Sequence, residues 1–170
     1  MNQPVPKSHR PHDVEFQIRY AETADERSIL DCLGLAFAPY RESYTPQAFA
    51  DTVLDAQALR RRMSEMSVLV AVSQARAIVG TVGFKVADGA EGHLRGMAVL
   101  PEHLGGGVAQ RLLESAEAAL RERGCSRVTL DTTRPLERAM RFYERNGYRR
   151  SGVVRDFFGM PLVEYVKALR

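Results

Sequence analysis

Residues 100–124, LPEHLGGGVAQRLLESAEAALRERG, decide how the chain is read, because three consecutive glycines separate an apolar run from a long amphipathic one. The stretch before them, EGHLRGMAVL (91–100), reads as a strand that ends at Pro101. Gly105 to Gly107 then open a helix expected from about Gly107 to Arg123. Val108, Leu112, Ala116, Ala119 and Leu120 recur at helical spacing as one apolar face, which assigns Gln110, Glu114, Glu117 and Arg121 to the side away from it. Glycines at a helix start let backbone approach a ligand closely, and the first amides of the helix have no partner within it. With the positive end of the helix dipole they make an anion site. From the glycines alone, a tight turn without a ligand is an equal reading. A Walker loop is excluded because no Gly-Lys-[Ser/Thr] follows. The dinucleotide fingerprint is excluded because Gln110 stands where its last glycine is needed.

Working outward, VEFQIRYA (14–21) alternates Val14, Phe16, Ile18 and Tyr20 on one face and reads as a first strand. Thr23 or Asp25 caps a helix carrying Ile29, Leu30, Leu33 and Phe37, and APYRESYTP (38–46) is a loop. A second helical region runs from about Pro46 to Met66, broken near Asp55. SVLVAVS (67–73) and AIVGTVGFKVA (77–87) form a hairpin ahead of the strand at 91–100. After the glycine-led helix come a strand at SRVTLDTT (126–133), a helix from Arg134 to Asn146 with Pro135 in its first turn and Gly147 as its stop, and two closing strands. Antiparallel hairpins mixed with helical crossovers imply an α+β, mixed three-layer (α/β/α) domain over 14–170, preceded by a mobile tail at 1–13.

The totals narrow the function. A chain of 170 residues, 45% hydrophobic and 26% charged, can bury a core without disulfides or metals. Net charge is only +3 with the basic residues dispersed, so no nucleic-acid partner is expected. No apolar run is long enough to span a membrane, and the N-terminus lacks a signal-peptide core, which points to the cytoplasm. Cys32 and Cys125 have neither CxxC nor zinc spacing. They are read as reduced, partly buried thiols, and no metal is expected.

A second motif lies downstream in RVTLDTTRPLERAMRFYERNGYRRSG, with Ala139, Phe142, Tyr143, Glu144, Gly147 and Tyr148 at fixed spacing. Together with VLPEHLGGGVA, in this order and separation, the chain resembles the GNAT (Gcn5-related N-acetyltransferase) family over roughly residues 16–169. The resemblance implies a central, mostly antiparallel sheet of six to seven strands flanked by helices, and acetyl-CoA as cosubstrate. It implies that the amides of Leu104, Gly105, Gly106, Gly107, Val108 and Ala109 hold the CoA diphosphate. Backbone near Met97, Ala98 and Val99 would pair with the pantetheine arm. Two positions depart from the family pattern: Leu104 stands where Gln or Arg is usual, and Leu136 where an Asn often lies.

The resemblance also implies that Tyr143 protonates the departing thiolate, a feasible step between a phenol of pKa ~10 and a thiol of pKa ~8.5. The bland reading stands beside it: Leu136, Ala139, Met140 and Tyr143 share one helical face, so Tyr143 also suits a core position. The family's strand-borne base corresponds to His93, with Glu91 two residues earlier on the same face as the alternative. Acceptor recognition is expected from Tyr40, Arg41 and Tyr44 in the first loop and from Arg155, Asp156, Phe157 and Phe158 in the last hairpin. The same aromatics equally suit a roof over the core or a homodimer face. The implied activity is acetyl transfer to a small-molecule amine. A CoA-binding regulatory module without turnover is the competing reading.

Overall fold

The structure is a computed structural model and describes residues 15–170. The expected tail at 1–13 and the strand position Val14 lie outside the described residues. The elements run β1 (Phe16–Tyr20), α1 (Glu26–Phe37), α2 (Pro46–Val53), α3 (Ala56–Glu65), β2 (Ser67–Ser73), β3 (Ile78–Asp88), β4 (Glu91–Val99), α4 (Val108–Glu122), β5 (Arg127–Thr133), α5 (Glu137–Arg145), β6 (Arg149–Phe157) and β7 (Met160–Ala168). One seven-stranded sheet has the order β1-β2-β3-β4-β5-β7-β6. Only β4 and β5 pair in parallel, so the sheet is mostly antiparallel with one parallel seam.

Helices cover both faces. Leu112, Leu113, Ala116 and Leu120 of α4 are fully buried against Val79, Val82, Phe84 and Leu94 of the sheet, with Tyr143 and Tyr148 in the same cluster. Each buried leucine contributes ~1.5–3 kcal/mol of transfer free energy. Ile29, Cys32, Leu33, Ala48, Phe49 and Leu59 of α1, α2 and α3 pack with Val68, Val70 and Ala98 on the opposite face. The start of α4 sits low on the sheet because Gly80 leaves room for it: a Cβ there would lie 2.7 Å from Val108 Cγ1. Both cysteines are buried and unpaired, and burial pushes the Cys32 thiol up to about 12. Among the described residues no helix is long and apolar enough to cross a membrane.

The break expected near Asp55 is a helix boundary: its carboxylate accepts the Ala58 amide at 2.7 Å and caps α3. Four details differ from the sequence reading. Residues 38–43 are a 3-10 helix, because Pro39 fits its first turn. The helix expected from Arg134 begins at Glu137, since the Leu136 amide turns back to the Thr133 carbonyl at 3.0 Å and Pro135 lies inside that turn. Tyr20 is 53% exposed despite its alternation with Phe16 and Ile18. Glu117, assigned to the outer side of α4, is buried at 4% exposure. It accepts hydrogen bonds from Lys167 Nζ at 2.8 and 2.9 Å and from the Tyr148 hydroxyl at 2.8 Å, partners that only the fold brings to it.

Candidate active site

The site grows from the parallel seam. β4 and β5 pair only from Glu91–Arg127 to Leu94–Leu130 and then part. A bulge drives the separation. Between Thr81–Ala98 and Gly83–Arg95 the β3–β4 register shifts, and Gly96 there takes φ +67. Beyond it the β4 edge facing β5 has no ladder partner among the described residues, which leaves polar backbone open to a ligand. The cleft has a volume of about 530 Å³ and is walled by residues 93–99 of β4, Leu130 to Thr133 of β5, the glycine loop, and one side of α5.

At its mouth, Gly105 and Gly107 have φ +81 and +83, left-handed values that exact a steric cost from other residues. A Cβ at either would meet nothing within 4 Å, so the space above the loop is open. The Leu104 amide donates to Pro101 and the Gly106 amide to His103, each at 3.3 Å. The expected row of six amides is therefore reduced. Gly105, Gly107, Val108 and Ala109 have no backbone acceptor among the described residues, and Gln110 joins them as the third residue of α4. Leu104, 45% exposed, adds no polar contact. This cradle suits an anion. Inside the cleft, Thr132 Oγ1 is the one buried side-chain polar atom without a partner among the described residues, a second group left for a polar ligand. No group of three or more potential ligands for a metal occurs among the described residues.

Tyr143 lines the cleft from α5 and stacks edge-on with Phe142 and Tyr148 at centroid distances of 5.4 and 5.7 Å. Burial alone raises its phenol well above the ordinary value near 10, with no hydrogen bond contributing. The ring belongs to the core cluster around α4, and the residue also lines the cleft.

On the opposite wall, His93 Nδ1 lies 3.0 Å from Thr129 Oγ1, and its Nε2 is 3.8 Å from Asp131 Oδ2, close enough for attraction but too long for a hydrogen bond. Burial pushes the imidazole below its ordinary value, opposed by Asp131, and burial pushes the Asp131 carboxyl up, opposed by His93 and Arg155. Arg155 donates to Asp131 at 3.2 Å and to Glu164 at 2.8 Å, so a polar line crosses β4, β5, β7 and β6. Glu91 lies off the cleft, engaged by Arg127 at 2.6 Å.

The expected acceptor residues divide. Tyr40, Tyr44 and Phe157 line the cleft, and the Tyr44 hydroxyl is bound to Thr133 Oγ1 at 2.6 Å. Arg41 instead sits over the Phe49 ring at 4.4 Å, and Phe158 is 47% exposed beside Phe157. Neither Arg41 nor Phe158 lines the cleft. Asp131, Thr132, Arg62 and Arg95 are cleft residues that sequence reasoning missed. The run Asp131-Thr132-Thr133 at a strand's C-terminal end was the available signal; nothing local marked the arginines.

An open mixed sheet that parts at a parallel seam, with an amide cradle at the following helix, is an architecture for binding an elongated anionic ligand. Residues 29–148 match the model of the acetyltransferase (GNAT) family, and the chain belongs to that family. It is 27% identical over 143 residues to the glucosamine 6-phosphate N-acetyltransferase of Trypanosoma brucei brucei, covering 80% of this chain and 90% of that protein. Its fold is similar to that of the PaiA N-acetyltransferase from Thermoplasma acidophilum, solved in complex with coenzyme A (TM-score 0.76, 16% identity, 91% and 99% of the two chains). It is also similar to the ribosomal-protein-S18-alanine N-acetyltransferase of Escherichia coli (TM-score 0.73, 15% identity, 91% and 94%).

Proposed function

We propose that the protein transfers the acetyl group of acetyl-CoA to the amine of a small molecule by direct attack, without an acyl-enzyme intermediate. The reading rests on one observation: the cleft between β4 and β5 runs from the open amides at Gly105, Gly107, Val108 and Ala109 to a site flanked by Tyr143 and His93. Acetyl-CoA supplies an activated thioester when bound. The loop amides bind its diphosphate and the free β4 edge at Met97, Ala98 and Val99 aligns its arm, with Thr132 Oγ1 as a further polar contact. β4 amides facing the cleft polarise the carbonyl.

Tyr143 acts as the general acid. Its raised pKa keeps the phenol protonated at neutral pH, and the same dry surroundings raise the basicity of a departing thiolate, so the pair stays matched. His93 acts as the base, directly or through one water. Its depressed pKa keeps it neutral at pH 7, and Asp131 steadies the imidazolium once the proton arrives. Glu91, tied to Arg127, is the weaker choice. Glucosamine 6-phosphate, named for the trypanosome relative, is the first acceptor to assay. Thiol release from acetyl-CoA across an amine panel tests the proposal: amine-dependent release supports transfer, whereas CoA binding without release from any amine favours a regulatory module.

A further inference from the structure

Arg62, near the C-terminal end of α3, lines the cleft, and its side chain has no hydrogen bond or ion pair among the described residues. Its guanidinium lies against the β4 bulge: a Cβ on Gly96 would fall 2.5 Å from Arg62 Nη1, so only glycine leaves room for it. The residue is half-buried and lines the cleft. Burial, then the neighbouring Arg95 charge, lowers this group to about 10, with Asp51 opposing, and it remains a cation at neutral pH. Arg95 stands beside it and donates to Asp51 at 2.5 Å.

Two guanidinium groups thus stand near one carboxylate at this end, and only Arg95 is paired with it. A partly buried arginine without an anion is costly, and such a site is completed by a ligand that supplies one. The other end of the wall has the opposite bias, with Asp131 and Glu164 sharing Arg155 beside His93. His93 and Arg95 are two residues apart on one face of β4, so the two ends are separated by roughly 7 Å.

We propose that Arg62, with Arg95 held alongside by Asp51, binds an anionic group on the acceptor, so that the acceptor is an amine that also carries a phosphate or carboxylate. This rests on the acetyl-transfer reading for the amine half. The anion goes to Arg62, the amine to His93 and Asp131, and the cleft selects by the span between them.

The experiment uses matched pairs, glucosamine 6-phosphate against glucosamine and phenylalanine against phenethylamine, with wild type, Arg62→Gln and Arg62→Lys. Thiol release gives kcat/KM, and calorimetry on protein saturated with CoA gives acceptor affinity independently of turnover. In at least one pair the anionic member is favoured by about tenfold to hundredfold in wild type, and the pair that shows it separates phosphate from carboxylate. Arg62→Gln abolishes that preference, and Arg62→Lys keeps part of it. Equal use of both members by the wild type overturns the inference while acetyl transfer stands. If no amine releases thiol, the functional proposal fails. The calorimetric arm then still decides: anion binding lost in Arg62→Gln sustains the Arg62 site, and no anion binding by wild type removes it. Should Arg62→Gln not fold, the wild-type comparison and Arg62→Lys distinguish the same outcomes.

Discussion

Replacing Tyr143 by Phe separates the ring's structural part from the hydroxyl's chemical part. The ring holds edge contacts to Phe142 and Tyr148 at 5.4 and 5.7 Å, which phenylalanine keeps. Its hydroxyl is perturbed by burial alone, so removal sacrifices no protein hydrogen bond and stability should move by no more than ~0.5 kcal/mol. CoA affinity should be unchanged within about twofold, since the diphosphate cradle lies on another element. The rate should fall sharply: a lost general acid costs roughly 10²–10⁴, or about 3–5 kcal/mol of transition-state stabilisation. The assay is kcat by thiol release at saturating acetyl-CoA and acceptor, with the melting temperature and calorimetric CoA affinity measured on the same sample. The pH profile adds a check. Because burial raises the phenol above ~10, the acid stays protonated through the neutral range, and the wild type should show no loss of kcat from this group below about pH 10. Full kcat in Tyr143→Phe, or a rate loss matched by an equal loss of CoA affinity, would refute the assignment.

Gly107→Val forces a β-branched residue into φ +83 and fills open space above the loop; CoA should bind at least about tenfold more weakly by calorimetry. His93 must be neutral to accept a proton, and burial holds its pKa below the usual ~6.5, so kcat/KM should fall only as pH drops beneath that value. In His93→Gln that acid limb should vanish and the rate drop ~10²-fold for a lysine-like amine, as read from pH–rate profiles. Glu117→Gln strips the carboxylate from Lys167 and Tyr148; because Lys167 is 23% exposed and can reach water, the loss should be near the lower bound for a buried pair, about 3 kcal/mol, read as a lower urea midpoint at unchanged slope.

Local pattern carried most of the fold into view. The apolar spacing of Val108, Leu112, Ala116 and Leu120, the alternation of the strands and the cap at Asp55 are short-range signals, and each element forms where they occur. What escaped depends on partners distant in sequence. Glu117 reads as a surface residue until β7 delivers Lys167, and the line from His93 through Asp131 and Arg155 to Glu164 exists only in the register of four strands. The loop amides and the ligand-pairing backbone at 97–99 come from the resemblance, whereas the bulge at Gly96 that parts β4 from β5 has no counterpart in periodicity. Arg62 was invisible for the same reason, being one of three consecutive arginines on α3 that only packing distinguishes.

Acetyl transfer in this cleft depends first on the open amides at the start of α4, and a calorimetric comparison of CoA with pantetheine tests them. Saturable CoA binding in the ~1 μM–1 mM range, with pantetheine far weaker because it lacks the diphosphate, is the predicted result. Pantetheine binding as tightly as CoA, or no uptake of CoA at all, would contradict it.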